Sequence, residues 1–165
     1  MILPLNIGAV LKRKYGGKKM HISEEGIRLI KHFEGCELEA YQCAAGVWTC
    51  GWGSTKGVKQ GDVWTQEKAD FLLEEELEVY CGYVKDAVKV PLNQCQLDSL
   101  TSWVYNLGNG SLKSSTLLKV LNSGDYEGVP EQILRWNKAN GQVLEGLTRR
   151  RRAEALLFQG KTWDI

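Results

Sequence analysis

The segment that most restricts this fold runs from Cys36 to Gly61, CELEAYQCAAGVWTCGWGSTKGVKQG. Tyr41, Val47, Trp48, Thr49 and Trp52 suit strands, and AAG and GWGSTKG supply turns. A small antiparallel sheet is expected here, and it is flanked by helical patterns. On the N-terminal side Ser23 is a good N-cap, and Glu24 and Glu25 come next, where negative charge favours a helix start. Ile27, Ile30 and Phe33 recur at helical spacing, which predicts a helix over 23–34, ended by Gly35. On the other side Thr65 caps a second helix with Phe71, Leu72 and Leu73 as apolar positions. The run EEELE (74–78) reads as its solvated face, and the helix continues toward Tyr83 or beyond.

Pro91 marks a break, and Asn93 begins a helix with Leu97, Leu100, Val104 and Leu107 as its apolar positions. GNGS (108–111) is expected to stop it. STLLKVLNSG, PEQILRWNK and LTRRRRAEALLF (147–158) each predict a further helix, with Pro130 in a first turn. The expected architecture is α+β: a small N-terminal antiparallel sheet lobe and a mainly helical C-terminal lobe.

The chain has 165 residues, 43% hydrophobic and 25% charged, enough for one domain with a real core. Its net charge of +1 does not indicate a general attraction to nucleic acid or acidic lipid. No apolar stretch reaches the roughly 18 residues of a membrane span. Residues 1–19 include MILPLNIGAVL and then the basic LKRKYGGKK, the reverse of the charge order in a signal peptide. They read as an extension, with Met20 as a candidate natural start; a membrane-surface anchor is the alternative. RRRR (149–152) reads first as a charged helix face.

Cys36, Cys43 and Cys50 lie seven residues apart, with Cys81 and Cys95 further on. Gly35 and the β-type residues argue against one helical stripe. No close cysteine pair suggests zinc, and His21 and His32 are the only histidines, so no metal is expected. The odd count fits a reducing compartment. Cys36 and Cys50 read as small buried residues.

Cys43 stands in a different frame. FEG (33–35) precedes it, Tyr41 lies two residues before it, and GVWTCGWG (46–53) comes after it. Glu34, Cys43 and Thr49 carry the spacing Glu, eight residues, a variable position, five residues, Thr. This resembles the catalytic segment of the phage-type lysozymes, the endolysins of glycoside hydrolase family 24. The variable position is usually Asp in that family, and some members carry Cys. WVYNLGNGSLKSSTLLKVLNSGDY (103–126) is similar to the family's central helix and the loop and helix after it. The C-terminal part carries the G-L-x-x-R-R-x-x-E signature at Gly146, Leu147, Arg150, Arg151 and Glu154. The resemblance covers residues 20–165.

It implies a lysozyme-like muramidase domain with an active-site cleft between the two lobes. It also implies hydrolysis of the β-1,4 bond between N-acetylmuramic acid and N-acetylglucosamine in peptidoglycan, without a cofactor. Glu34 would be the acid that protonates the leaving oxygen, with Arg150 paired to it. Burial keeps a carboxyl protonated and an adjacent cation ionises it; the sequence leaves that balance open. Thr49 would hold a water.

Three roles are open to Cys43, whose free thiol titrates near about 8.5. It is a thiolate base or nucleophile, a bystander, or a redox element that bonds to Cys36 or Cys50. Inverting and retaining outcomes also stay open. Trp52, Tyr105, Asn106, Ser115 and Trp136 are candidate saccharide contacts, with core packing the alternative for the aromatics. The family further implies a monomer that accumulates in the host cytoplasm, leaves through a holin and reaches the wall from the periplasm. Two rival functions are a wall-binding protein that has lost catalysis, because the Asp is missing, and a lytic transglycosylase.

Overall fold

The computed structural model describes residues 20–164. The expected extension over residues 1–19 lies outside the described residues.

Helix α1 spans Glu24–Glu34. The Ser23 hydroxyl accepts from the Gly26 N–H, so the predicted cap is formed. Ser23 is also tied to the helical body: its N–H donates to the buried Asp98 carboxylate at 2.9 Å, and its hydroxyl donates to the same group. The start of α1 is thereby fixed against the helix that begins after Asn93.

Strands β1 (Glu37–Gln42) and β2 (Trp48–Gly51) pair antiparallel, with an irregularity between Glu37 and Tyr41. Residues 62–64 lie along the other edge of β1, where Ala40 N–H donates to Asp62 O at 2.9 Å and Trp64 N–H to Leu38 O at 2.8 Å. Cys50, Trp64 and Ala69 form a small core beneath the sheet, with Cys36, Leu38 and Ala40 packed against it. Gly51 makes this possible. Its φ is +66°, and a Cβ there would meet the Trp64 ring at 3.0 Å and Ala69 at 3.2 Å.

Helix α2 (Gln66–Ala87) is capped by Thr65 and joins the two lobes. Its 22 residues extend about 33 Å. Ala69 packs under the sheet, Leu73 and Leu77 pack with Ile30, and Cys81 and Val84 enter the main helical core. Phe71, expected as an apolar contact, is 61% exposed. EEELE is only partly a solvated face: Glu74 and Glu75 are exposed and Leu77 is buried.

Helix α3 (Gln94–Leu107) starts in a capping box between Asn93 and Gln96. Every residue from Leu97 to Val104 is buried, as expected of a helix enclosed on all sides. Gly108 ends it, but the chain does not stay irregular; α4 (Asn109–Ser114), α5 (Thr116–Asn122) and α6 (Val129–Leu134) come after it. A second hairpin, unforeseen from the sequence, pairs β3 (Lys138–Ala139) with β4 (Gln142–Val143) across Asn140 and Gly141. Both turn residues have positive φ, as a two-residue hairpin loop of this type requires. Helix α7 (Glu145–Phe158) begins two residues earlier than expected and packs on α3 and α6. The outcome is α+β, as read from the sequence, with the larger core in the helical lobe.

Candidate active site

Glu34 is the last residue of α1, and its side chain is 21% exposed. Arg150 Nη1 donates to Glu34 Oε1 at 2.6 Å. The other carboxylate oxygen, Oε2, faces Gly53 just beyond β2; a Cβ at position 53 would lie 3.7 Å from it. Gly53 has a φ of +96°, so it turns the chain and, without a Cβ, places no side chain over that oxygen.

The arginine run is divided by helical geometry. Arg149 and Arg152 are exposed, whereas Arg150 and Arg151 are buried. The reading of RRRR as a charged face is therefore corrected: α7 turns its middle two arginines onto α3. Burying two guanidiniums requires compensation. Glu154, fully buried one turn on, supplies it. Its Oε1 accepts from Arg150 Nε at 3.2 Å and from the Ser102 hydroxyl at 2.7 Å. Arg151 Nε sits 2.8 Å from Glu154 Oε2 as an ion pair too bent for a good hydrogen bond. Arg150 Nη2 also reaches the Ser102 carbonyl at 3.4 Å, and its guanidinium lies 5.9 Å from the Phe33 ring centre. Burial pushes the Arg151 guanidinium below its ordinary value, and Glu154 opposes that shift.

Cys43 lies where β1 turns toward β2. Its N–H donates to Val47 O at 3.0 Å, and its carbonyl accepts from Gly46 N–H at 2.8 Å. Hydrogen bonds from the backbone at Val47 and Ala45 hold the thiol below its usual range, slight burial opposes them, and the Thr49 hydroxyl adds to the lowering. Thr49 is 4% exposed, and its hydroxyl lies 3.0 Å from the Val47 carbonyl. Cys36 and Cys81 behave oppositely: burial pushes both thiols up. All five cysteines are free thiols.

A cavity of about 480 Å³ opens beside Glu34. Glu76, Val79 and Tyr80 of α2 and Tyr105 and Asn106 of α3 contribute to its walls. The Tyr105 hydroxyl donates to the Trp52 carbonyl or the Glu76 carboxylate, each 3.4 Å away. Burial, then the charges of Glu76 and Glu34, push the Tyr105 phenol far above its ordinary value, so it remains a donor. Another cavity, of about 530 Å³, lies between the start of α3 and the C-terminal tail, remote from Glu34.

The structure thus joins Glu34 to Arg150 and Cys43 to Thr49, and it brings Tyr105 and Asn106 to the cleft. Of the three other expected saccharide contacts, Ser115 is buried and corrected, whereas Trp52 and Trp136 combine core contacts with partial exposure. Ser115 is 2% exposed; its hydroxyl donates to Leu112 O and caps α5 through Leu118 N–H. Trp136 packs edge-on against Trp103 in the helical core, ring centres 5.1 Å apart. Trp52 packs toward Ile30 and Leu73 and donates its indole N–H to Asp70 at 2.7 Å. Glu76 and Tyr80 line the cavity without having been singled out in the sequence, whereas Arg151, part of the C-terminal signature, lies buried behind it. The signal for the first two is the helical spacing of Glu76, Tyr80 and Tyr83 along one face of α2.

A carboxyl-bearing helix end, a two-stranded sheet and a cleft backed by helices define a lysozyme-like fold. The chain is 47% identical over 144 residues to an endolysin of Acyrthosiphon pisum secondary endosymbiont phage 1, covering 85% of this chain and 99% of the relative. It is 38% identical over 144 residues to the endolysin of Salmonella phage P22, covering 84% and 98%. The muramidase domain of SpmX from Asticaccaulis excentricus superposes with a TM-score of 0.80 at 36% identity, covering 85% and 98%. The profile of the phage lysozyme family matches residues 31–154, and the chain belongs to that family.

Proposed function

We propose that this chain is an endolysin, a muramidase that hydrolyses the β-1,4 bond between N-acetylmuramic acid and N-acetylglucosamine in bacterial peptidoglycan during host cell lysis. The observation that carries the reading is Glu34 lining an open cleft, with one carboxylate oxygen anchored by Arg150 and the other facing Gly53. Glu34 Oε2 delivers a proton to the leaving glycosidic oxygen as the C–O bond breaks. A water attacks the anomeric carbon and gives its proton to the Cys43 thiolate. The products are a free reducing end, a Glu34 carboxylate and a neutral thiol, and solvent resets both groups. Backbone amides and the Thr49 hydroxyl around the sulfur support a thiolate in this role. Thr49, by its place in the family pattern, holds the attacking water.

Among the described residues no helix is long and apolar enough to cross a membrane. The proposal extends to a monomer that collects in the host cytoplasm and is released to the wall through a holin. The loss-of-catalysis alternative is disfavoured by the kinship with endolysins over nearly their whole length.

Wall clearing by purified protein, with counting of reducing ends and mass spectrometry of the fragments, tests the proposal. Glu34→Gln should slow clearing by about 10²–10⁴-fold. Clearing at the parent rate would remove Glu34 as the acid, and anhydro-sugar products would mark a transglycosylase.

A further inference from the structure

Asn106 is an exposed residue of the cleft wall, and one buried side chain decides which way its amide faces. Arg151 is fully buried on α7, and its Nη2 donates to Asn106 Oδ1 at 2.7 Å. A guanidinium has only donors, so the amide atom turned toward it must be the oxygen. The amide nitrogen and its two N–H groups are left for the exposed side. Glu154 contacts both Nε and Nη2 of Arg151, at 2.8 and 3.3 Å, so the guanidinium is itself held in place.

The same cavity offers complementary chemistry. Glu76 brings a carboxylate that accepts hydrogen bonds. Val79, 52% exposed, and Tyr80 bring apolar surface. An acetamido group carries a carbonyl to accept, an N–H to donate and a methyl to bury. A sugar hydroxyl has no apolar end and makes no use of Val79.

We infer that Arg151 is a positioning residue that locks Asn106 as a hydrogen-bond donor, and that the Asn106–Glu76–Val79 wall reads an N-acetyl group of the glycan. The inference rests on the glycan-cleaving function proposed above.

The test compares kcat/KM on N-acetylated glycan strands with that on the same strands after chemical de-N-acetylation, scored by new reducing ends. The parent is expected to prefer the N-acetylated strands. Asn106→Asp keeps a partner for Arg151 but presents an oxygen to the acetamido carbonyl, and Asn106→Leu removes the donor without adding charge. Both should narrow the preference by about tenfold, the effect of one directional hydrogen bond. Arg151→Lys keeps a cation beside Glu154 but loses the Nη2 donor that holds the amide, and should narrow it several-fold.

If only Asn106→Asp changes the preference, the effect is charge and the N-acetyl reading is overturned. If Arg151→Lys keeps the parent preference, its positioning role is overturned. A parent that cleaves neither substrate overturns the glycosidase function and this inference with it. A parent that cleaves both without preference overturns this inference alone.

Discussion

The helical and sheet parts of the candidate site are built by different means. On the helical side, Glu34 is held by side chains: Arg150 grips it, Glu154 and Ser102 grip Arg150, and α3 and α7 bury Arg150, Glu154 and Ser102. On the sheet side, Cys43 is held by backbone amides of its own loop, in a partly exposed turn. The first arrangement resists substitution poorly, because removing Arg150 or Glu154 leaves a buried charge short of a partner. The second tolerates a change of side chain, because the amides remain. This offers a physical account of how a position usually occupied by Asp can carry Cys: both present an anion to the same N–H groups.

Breaking the helical side should have the largest effect on folding. Arg150→Met leaves Glu154 short of a partner inside the core, and about 3–5 kcal/mol of stability should be lost. Urea unfolding measures it; a loss under about 1 kcal/mol would mean that the network holds without its centre.

The sheet side should respond in activity instead. Cys43→Ser should lower wall clearing tenfold or more while the unfolding midpoint stays near that of the parent, and Cys43→Asp should stay active. A serine variant as active as the parent would remove the thiolate from the mechanism.

Thr49→Val keeps the shape of a 4% exposed side chain and removes one hydroxyl contact to the sulfur. It should cost about 1 kcal/mol of stability and raise the pH at which iodoacetamide labels Cys43. An unchanged labelling profile would show that the amides act alone.

The smallest effect concerns Asp70, which receives Trp52, Gln66 and Lys31. Burial raises its carboxyl, but those three contacts outweigh it and hold it below the ordinary value. A depressed folded value stabilises the protein above the unfolded value, and that stability is lost as pH falls through the folded one. The Asp70→Asn variant should therefore show a shallower loss of thermal stability than the parent below about pH 4.

Much of the fold was legible because it is written in local chemistry. Ser23, Thr65 and Asn93 each cap the helix that they were expected to cap, since a cap needs only a side-chain oxygen and the next turn. The β3–β4 hairpin was missed although Asn140-Gly141 signals it, because each strand is only two residues long. Where tertiary packing decides, local reading failed. RRRR looks uniform until α3 covers two of its members, and Ser115 looks like a polar cleft residue until its hydroxyl is used as a cap. Glu34, Cys43 and Thr49 were singled out by the spacing they share with the family pattern, but the amides that lower the Cys43 thiol belong to Ala45 and Val47, whose side chains give no sign of it.

The acid limb of the pH–activity profile, compared between the parent and Cys43→Asp, tests most directly whether a thiolate does the work of a carboxylate here. Cys43 gains its negative charge as pH rises through a value below the usual thiol range. The parent limb should track iodoacetamide labelling of Cys43, and Cys43→Asp should move the limb several pH units lower, into the carboxylate range. Coincident limbs in the two proteins would show that activity does not depend on ionisation at position 43, and would contradict the account.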